Sequence, residues 1–461
     1  MSKLIITKEK LYEILSKEND CALMEYYYQE CLKDNVEVYQ REAYIALLMI
    51  LLRYKWSQLF ENKDYRIESL FKLKEITDNK ELTQYSELLS MTNLQIGLSI
   101  IDNDIIKDDV LIDFKNMYAS YLFMTSRYLE CLAHIDNVIT RDPGDSTANF
   151  YKSILAELCL VMKTDTKYKM QLSAYQIELL KRCDKNKIHF DKSIVDKVYK
   201  IINPNAVPAI NKTLKFTLPN NIKSDHWTEE EDFYLRNKLF LNPLNDFGFF
   251  AEASWETFDE IPISKEHRIL FDSIVEDYKY GRRVFFEYST EKNTCQRDMI
   301  SAYSFIYSIF DKIAYLLYRV YDLDRKDVAV IFSENKLFNA KIKNDNRKFS
   351  EINNPMIIPL YYLMKSVREK NKIENPFQVG TFELDEYRNI LEHRTTSNVD
   401  DKKLKMNTRF LLTYTRRLII YCYLLLHGAD ENIKNNNFSC VGTTFMKALY
   451  LLNEKENNKQ S

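Results

Sequence analysis

Seven glycines in 461 residues set the narrowest limit on what this chain can fold into. Soluble proteins average roughly 7% glycine. Here the seven lie at 97, 144, 248, 281, 380, 428 and 442, and no two are closer than fourteen residues. Phosphate-cradling loops and nucleophile elbows need clustered glycines, because only a residue without Cβ lets backbone amides wrap an anion or take a strained turn. Rossmann enzymes, P-loop ATPases, kinases and G-x-S-x-G hydrolases are therefore excluded.

Charge and apolar content bound the rest. Lys and Arg number 65 against 67 Asp and Glu, a formal net of −2. The whole protein has no bias toward nucleic acid or anionic membrane, so any basic site must be local. Apolar residues make up 46% of the chain, ample for a core, and charged residues 29%, as in soluble proteins. The longest apolar runs, Ala43–Leu52 and Leu418–Leu426, are ten and nine residues. A membrane span needs about 20. The opening Met1-Ser-Lys-Leu-Ile-Ile lacks the apolar stretch of a secretory signal, so a cytoplasmic protein without a membrane partner is expected. The eight Cys never form C-x-x-C and read as free, mostly buried thiols of a reducing compartment. Six His without H-E-x-x-H or a Cys/His knuckle point to no metal and no cofactor.

Proline marks the organisation. Residues 1–203 hold Pro143 alone, and the other eight prolines fall within 204–376. Asn203-Pro-Asn-Ala-Val-Pro208 and Leu218-Pro-Asn-Asn-Ile-Lys-Ser224 break helical periodicity with turn-forming residues. The expected division is a helical-repeat half over 1–203, a linker and lead-in over 204–260, and a helical bundle over 261–461. In the first part, Ala119, Leu122, Tyr128, Cys131, Ile135 and Val138 recur at three- and four-residue spacing. Asp142-Pro-Gly-Asp145 then turns the chain into a second apolar helix through Phe150, Ile154, Leu158 and Leu160. This unit resembles a tetratricopeptide (TPR) repeat without its first-helix Trp and Gly. Segments 22–54 and 81–101 also read as helical, so the half is expected to be a TPR-like α-solenoid able to take a protein or peptide ligand.

The bundle half has longer seams. Met299, Tyr303, Ile306, Phe310, Ile313, Leu317 and Val320 alternate steps of four and three. Phe410, Leu411, Tyr414, Leu418, Tyr421, Cys422 and Leu425 form a second apolar face. Shorter helices are expected over 264–279, 356–370 and 382–393. Val328–Phe332 is the best strand candidate, and the fold class overall is all-α.

One helix carries candidate chemistry. Thr381 can cap it, and Glu383, Asp385 and Glu386 suit its positive N-terminus. Tyr387, Ile390 and Leu391 supply its buried stripe. Asn389 and His393, four apart, share a face, and Arg388 points about 100° to one side. From Arg394 to Arg417 the chain holds seven cations, Arg394, Lys402, Lys403, Lys405, Arg409, Arg416 and Arg417, against Asp400 and Asp401. Gly281-Arg-Arg283 is a second, weaker basic candidate.

Arg388-Asn-Ile-Leu-Glu-His393 fits the R-x4-6-H signature of HEPN domains, and its surroundings resemble the LA2681-like HEPN family. Tyr234-Leu-Arg-Asn-Lys-Leu-Phe-Leu-Asn-Pro-Leu-Asn-Asp246 is similar to that family's lead-in, as are the long helix at 297–323 and Glu374-Asn-Pro-Phe377. The resemblance covers roughly 225–430. It implies a four- or five-helix bundle, a homodimer and metal-independent cleavage of RNA. The residue types suit that reaction. An imidazole with an ordinary pKa near 6.5 can take a proton from the 2′-OH or return one to the leaving 5′-oxygen. A guanidinium can hold the charged transition state by two parallel hydrogen bonds. His393 is thus the expected general acid/base, Arg388 the phosphate clamp and Asn389 an orienting group. Lys402, Lys403, Lys405 and Arg409 are the expected RNA-backbone contacts. Arg and His five apart lie about 140° apart around one helix, so a site completed by a second copy suits the geometry better. Arg127/His134 and Arg182/His189 also satisfy the bare spacing, but lie in the repeat half and are expected to be structural. Thr395 stands where toxin members of the superfamily carry a modifiable Tyr.

Overall fold

The computed structural model describes residues 126–156, 166–188, 192–202, 227–247, 261–292, 295–324, 331–343, 347–352, 356–368 and 399–427, with scattered single positions elsewhere. The chain forms two compact units, one of residues 1–121 and 369–381 and the other of 122–368 and 382–461. All elements below belong to the second. The helices expected over 22–54 and 81–101 lie outside the described residues.

Helices α1 (Tyr128–Arg141) and α2 (Ser146–Leu155) form a hairpin at the expected place. Asp142 makes the turn by accepting from the Gly144 amide at 2.9 Å, and Asp145 caps α2 by accepting from the Ala148 amide at 2.7 Å. Ala119, Leu122, Tyr128, Cys131, Ile135 and Val138 are all buried, as their spacing requires. Helix α3 (Thr166–Lys181) packs on α2, and α4 (Lys192–Ile202) packs on α3.

Two short helices follow, α5 (Glu229–Arg236) and α6 (Leu244–Phe247). Thr228 and Glu231 close a capping box at the start of α5. The bundle is built from α7 (Lys265–Ser289), α8 (Gln296–Val320), α9 (Ile357–Arg368) and α10 (Asp401–His427). Helices α7 and α8 run antiparallel, held outside by Lys312–Asp277 at 2.6 Å and Arg319–Glu266 at 2.8 Å. They pack tightly at Gly281, where a Cβ would meet Ile306 Cγ1 at 2.3 Å. The α8 seam from Met299 to Leu317 is buried throughout, and Val320 is half-buried. Helix α10 lies against both partners, and α9 packs on α10. Among the described residues there is no β-strand. Ile331 and Phe332 of the expected strand are irregular, and the nearest pairings are isolated bridges, Leu323 with Ile342 and Lys341 with Lys348.

The lead-in between α5 and α6 has little regular structure, so its backbone needs partners from elsewhere. Two buried arginines supply them. Arg282 of α7 makes a two-pronged ion pair with Glu256 at 2.7 and 2.8 Å and donates to the Leu239 carbonyl at 3.0 Å. Arg416 of α10 pairs with Asp246 and donates to the Phe240 carbonyl.

The Tyr421 hydroxyl of α10 donates to Glu130 of α1 at 2.6 Å and accepts from the Leu129 amide at 3.0 Å. The Arg127 guanidinium lies 5.0 Å over the Tyr362 ring of α9. Lys238 reaches Asp136 of α1 at 3.3 Å. Helix α1 and the residue before it thus contact α9, α10 and the lead-in directly.

Candidate functional site

Leu384, Tyr387, Arg388 and Leu391 are helical, and the first, second and fourth are buried. Tyr303 of α8 holds this segment in two ways. Its hydroxyl donates to the Leu384 carbonyl at 3.0 Å, and its ring meets Tyr387 edge-on at 5.5 Å. Arg388 steps off the buried stripe and keeps partial exposure, with its Cζ 4.7 Å above the ring of Tyr307, one turn along α8. Asn389, His393 and the loop 392–398 lie outside the described residues.

Helix α10 begins beside this segment. The Asp400 side chain accepts from the Lys402 amide at 2.8 Å and from Lys403 at 3.2 Å, while its carbonyl accepts from Leu404. An acid at this end also suits the helix dipole. Gln296, at the start of α8, donates to the Val399 carbonyl at 2.8 Å and fixes the entry. Lys402, Lys403 and Arg409 are exposed, and Lys405 is half-buried. Lys402, Lys405 and Arg409 share a face by their spacing of three and four. Lys403 turns toward the motif, its ammonium 5.5 Å from the Tyr387 ring. Lys405 pairs with Asp401 at 3.1 Å and lies 5.2 Å over Tyr288.

Electrostatics at this end follow from burial and these contacts. Burial, then the charges of Asp400 and Asp401, push the Tyr387 phenol up to about 12, so it stays neutral under the lysine. Its hydroxyl finds no hydrogen-bond partner among the described residues. A hydrogen bond from Tyr288 holds Asp401 below the usual carboxylate range, with Lys405 adding to it.

The structure therefore places Arg388 and Lys403 against neighbouring tyrosines and puts Lys402, Lys405 and Arg409 along the adjoining helix. It does not bring in Arg416 or Arg417, and Arg394 lies outside the described residues. Arg416 is buried against Asp246, and Arg417 faces Glu130 at 4.0 Å. The candidate at Gly281-Arg-Arg283 is likewise corrected. Gly281 is a helix contact and Arg282 a buried ion pair, which leaves Arg283 exposed beside Tyr280. Arg127 pairs with Glu130 at 3.5 Å and Arg182 with Glu178 at 3.6 Å, while His189 is outside the described residues. Sequence reasoning took Tyr303 as core alone and passed over Tyr307 and Tyr288. The spacing of Tyr303 and Tyr307 was the available signal, since aromatics four apart present one face. Of the described thiols, Cys131 and Cys422 are buried, Cys183 is half-buried and Cys295 is exposed, all free. Among the described residues no group of three or more His, Cys, Asp or Glu could hold a metal ion, and no helix is long and apolar enough to cross a membrane.

Comparison with known proteins agrees with the motif. Residues 293–428 match the family model described as LA2681-like HEPN. The match begins just before α8, so the lead-in at 234–246 and helix α7 fall outside it. The ribonucleoside-diphosphate reductase subunit beta of Bacillus phage SPbeta is 23% identical over 230 residues, which is 46% of this chain and 65% of that protein. No solved structure matches. The segment from α8 to the end of α10 is thus similar to an LA2681-like HEPN domain, and Arg388 stands within it.

Proposed function

We propose that this protein is a metal-independent endoribonuclease of the HEPN type. The observation that carries the reading is the family match over 293–428, which spans Arg388-Asn-Ile-Leu-Glu-His393 and the cationic start of α10. In this reading His393 moves the proton at the 2′-OH and the 5′-oxygen, Arg388 clamps the scissile phosphate and Asn389 orients it. Lys402, Lys403, Lys405 and Arg409 hold the flanking RNA backbone. Two copies complete the site, because one helix separates Arg388 from His393 by about 140°. The products are a 2′,3′-cyclic phosphate and a 5′-hydroxyl. Residues 1–203 act as a TPR-like module that takes a protein or peptide ligand, and the pairing of sensor and nuclease suits bacterial defence or stress response.

The test is RNA cleavage in EDTA by the wild type, Arg388→Ala and His393→Ala, with end-group analysis. Cleavage by the wild type alone, leaving cyclic phosphate ends, supports both roles. Equal cleavage by all three sinks the assignment. RNA binding without cleavage by any of them favours a non-catalytic HEPN scaffold, the alternative reading of the same fold.

A further inference from the structure

The motif arginine is held from outside its own helix. Tyr303 and Tyr307 sit one turn apart on α8, and both are buried. The first grips the backbone and stripe of the motif helix at Leu384 and Tyr387. The second lies under the guanidinium of Arg388, 4.7 Å from ring centre to Cζ. An arginine side chain has four soft torsions, and a free one spreads its charge over many positions. A ring fixed in a helix seam restricts it to one plane, because the electron-rich face attracts the cation and the flat guanidinium stacks upon it. Arg388 as a whole is partly exposed, while its Nε is buried.

We propose that Tyr307 is a positioning residue for Arg388, setting the guanidinium plane before phosphate arrives. This rests on the nuclease reading, in which Arg388 contacts the phosphate. Tyr307 itself touches neither RNA nor the reacting atoms. The aromatic face is the part that matters, so phenylalanine can replace it and an aliphatic side chain of similar bulk cannot.

The experiment is a double-mutant cycle on the full chain. The probe is a mixed-sequence 2′-O-methyl RNA 20-mer, which cannot be cleaved, and the readout is Kd by fluorescence anisotropy. Melting temperature is followed alongside. Tyr307→Leu weakens binding about 10-fold, the range of a partly desolvated cation–π contact. The same change in an Arg388→Ala background alters Kd less than about two-fold, since the coupling exists only while both partners are present. Tyr307→Phe stays within about two-fold of wild type, its ring still offering the cation an aromatic face. An equal loss from Tyr307→Leu in both backgrounds makes the residue merely structural and overturns the proposal. So does wild-type binding by Tyr307→Leu when Arg388→Ala is impaired, and that outcome leaves the nuclease reading intact. Wild-type binding and cleavage by Arg388→Ala overturns that reading, and the positioning role falls with it.

Discussion

Glycine scarcity has a cost that appears at single residues. Ser126, Lys238, Glu291 and Asp322 have φ of 58°, 53°, 58° and 44°. In each case the amide of the next residue bonds back to a carbonyl five positions earlier, as Lys292 does to Glu287 at 2.7 Å. These are Schellman closures of helices, and glycine normally fills the left-handed position. A side chain there costs about 1–2 kcal/mol. Glu291 is exposed, so Glu291→Gly should raise stability by about 0.5–1 kcal/mol after the added unfolded-state entropy is counted. Urea unfolding checks this, and Glu291→Ala, which keeps the Cβ, should show no such gain. Composition revealed that glycine was missing, but not which residues had taken its place. The motif behaves similarly at this scale. The surroundings of the motif, not its spacing, singled out Arg388, whereas the pairing with Tyr307 appears only where α8 meets the motif segment.

At the scale of elements, the hydrophobic period was informative and the charge pattern only half so. The four-three steps of α8 gave its buried seam correctly, because burial repeats with the helical turn. The cations of α10 divide between solvent and core. Arg416 and Arg417 turn inward to carboxylates that come from Asp246 and Glu130, far away in sequence. Gly281 shows the same limit. It stood in the sequence beside two arginines and resembled part of a basic site, yet its role is to let α7 approach α8. An added methyl there would sit 2.3 Å from Ile306 Cγ1, so Gly281→Ala should destabilise the bundle by about 1–3 kcal/mol through overpacking. A fall in melting temperature would check the contact; full stability of Gly281→Ala would refute it.

At the scale of the molecule, α1 is joined to α10 by a buried charge cluster. Burial by itself would raise the pKa of Glu130, but Arg417, then Arg127 and the Tyr421 hydroxyl, outweigh it and hold the carboxyl below the usual range. A carboxyl with a depressed folded-state pKa adds stability that is complete above its unfolded value of about 4.3. That stability is lost as pH falls through the folded value. Glu130→Gln should therefore cost about 2 kcal/mol near pH 7, the worth of hydrogen bonds to a charged group. The difference from wild type should begin to shrink below about pH 4, where the unfolded carboxyl takes up its proton, and vanish as pH falls through the lower folded value. Melting temperatures of both proteins from pH 3 to 8 check the sign, and a gap that widens toward acid would contradict it.

Local sequence by itself determined the helical class, the seam of α8, the hairpin at Asp142–Asp145 and the position of Arg388. Each depends on a period or a short motif, which the chain carries in order. Tertiary structure alone decided which arginines reach solvent, where α1 packs and which tyrosine lies beneath Arg388. Those outcomes hang on pairs such as Arg416 with Asp246 and Tyr421 with Glu130, separated by 170 and 291 positions. An ion or a hydroxyl is buried only where a distant partner compensates its lost water, and that partner is invisible to any local pattern.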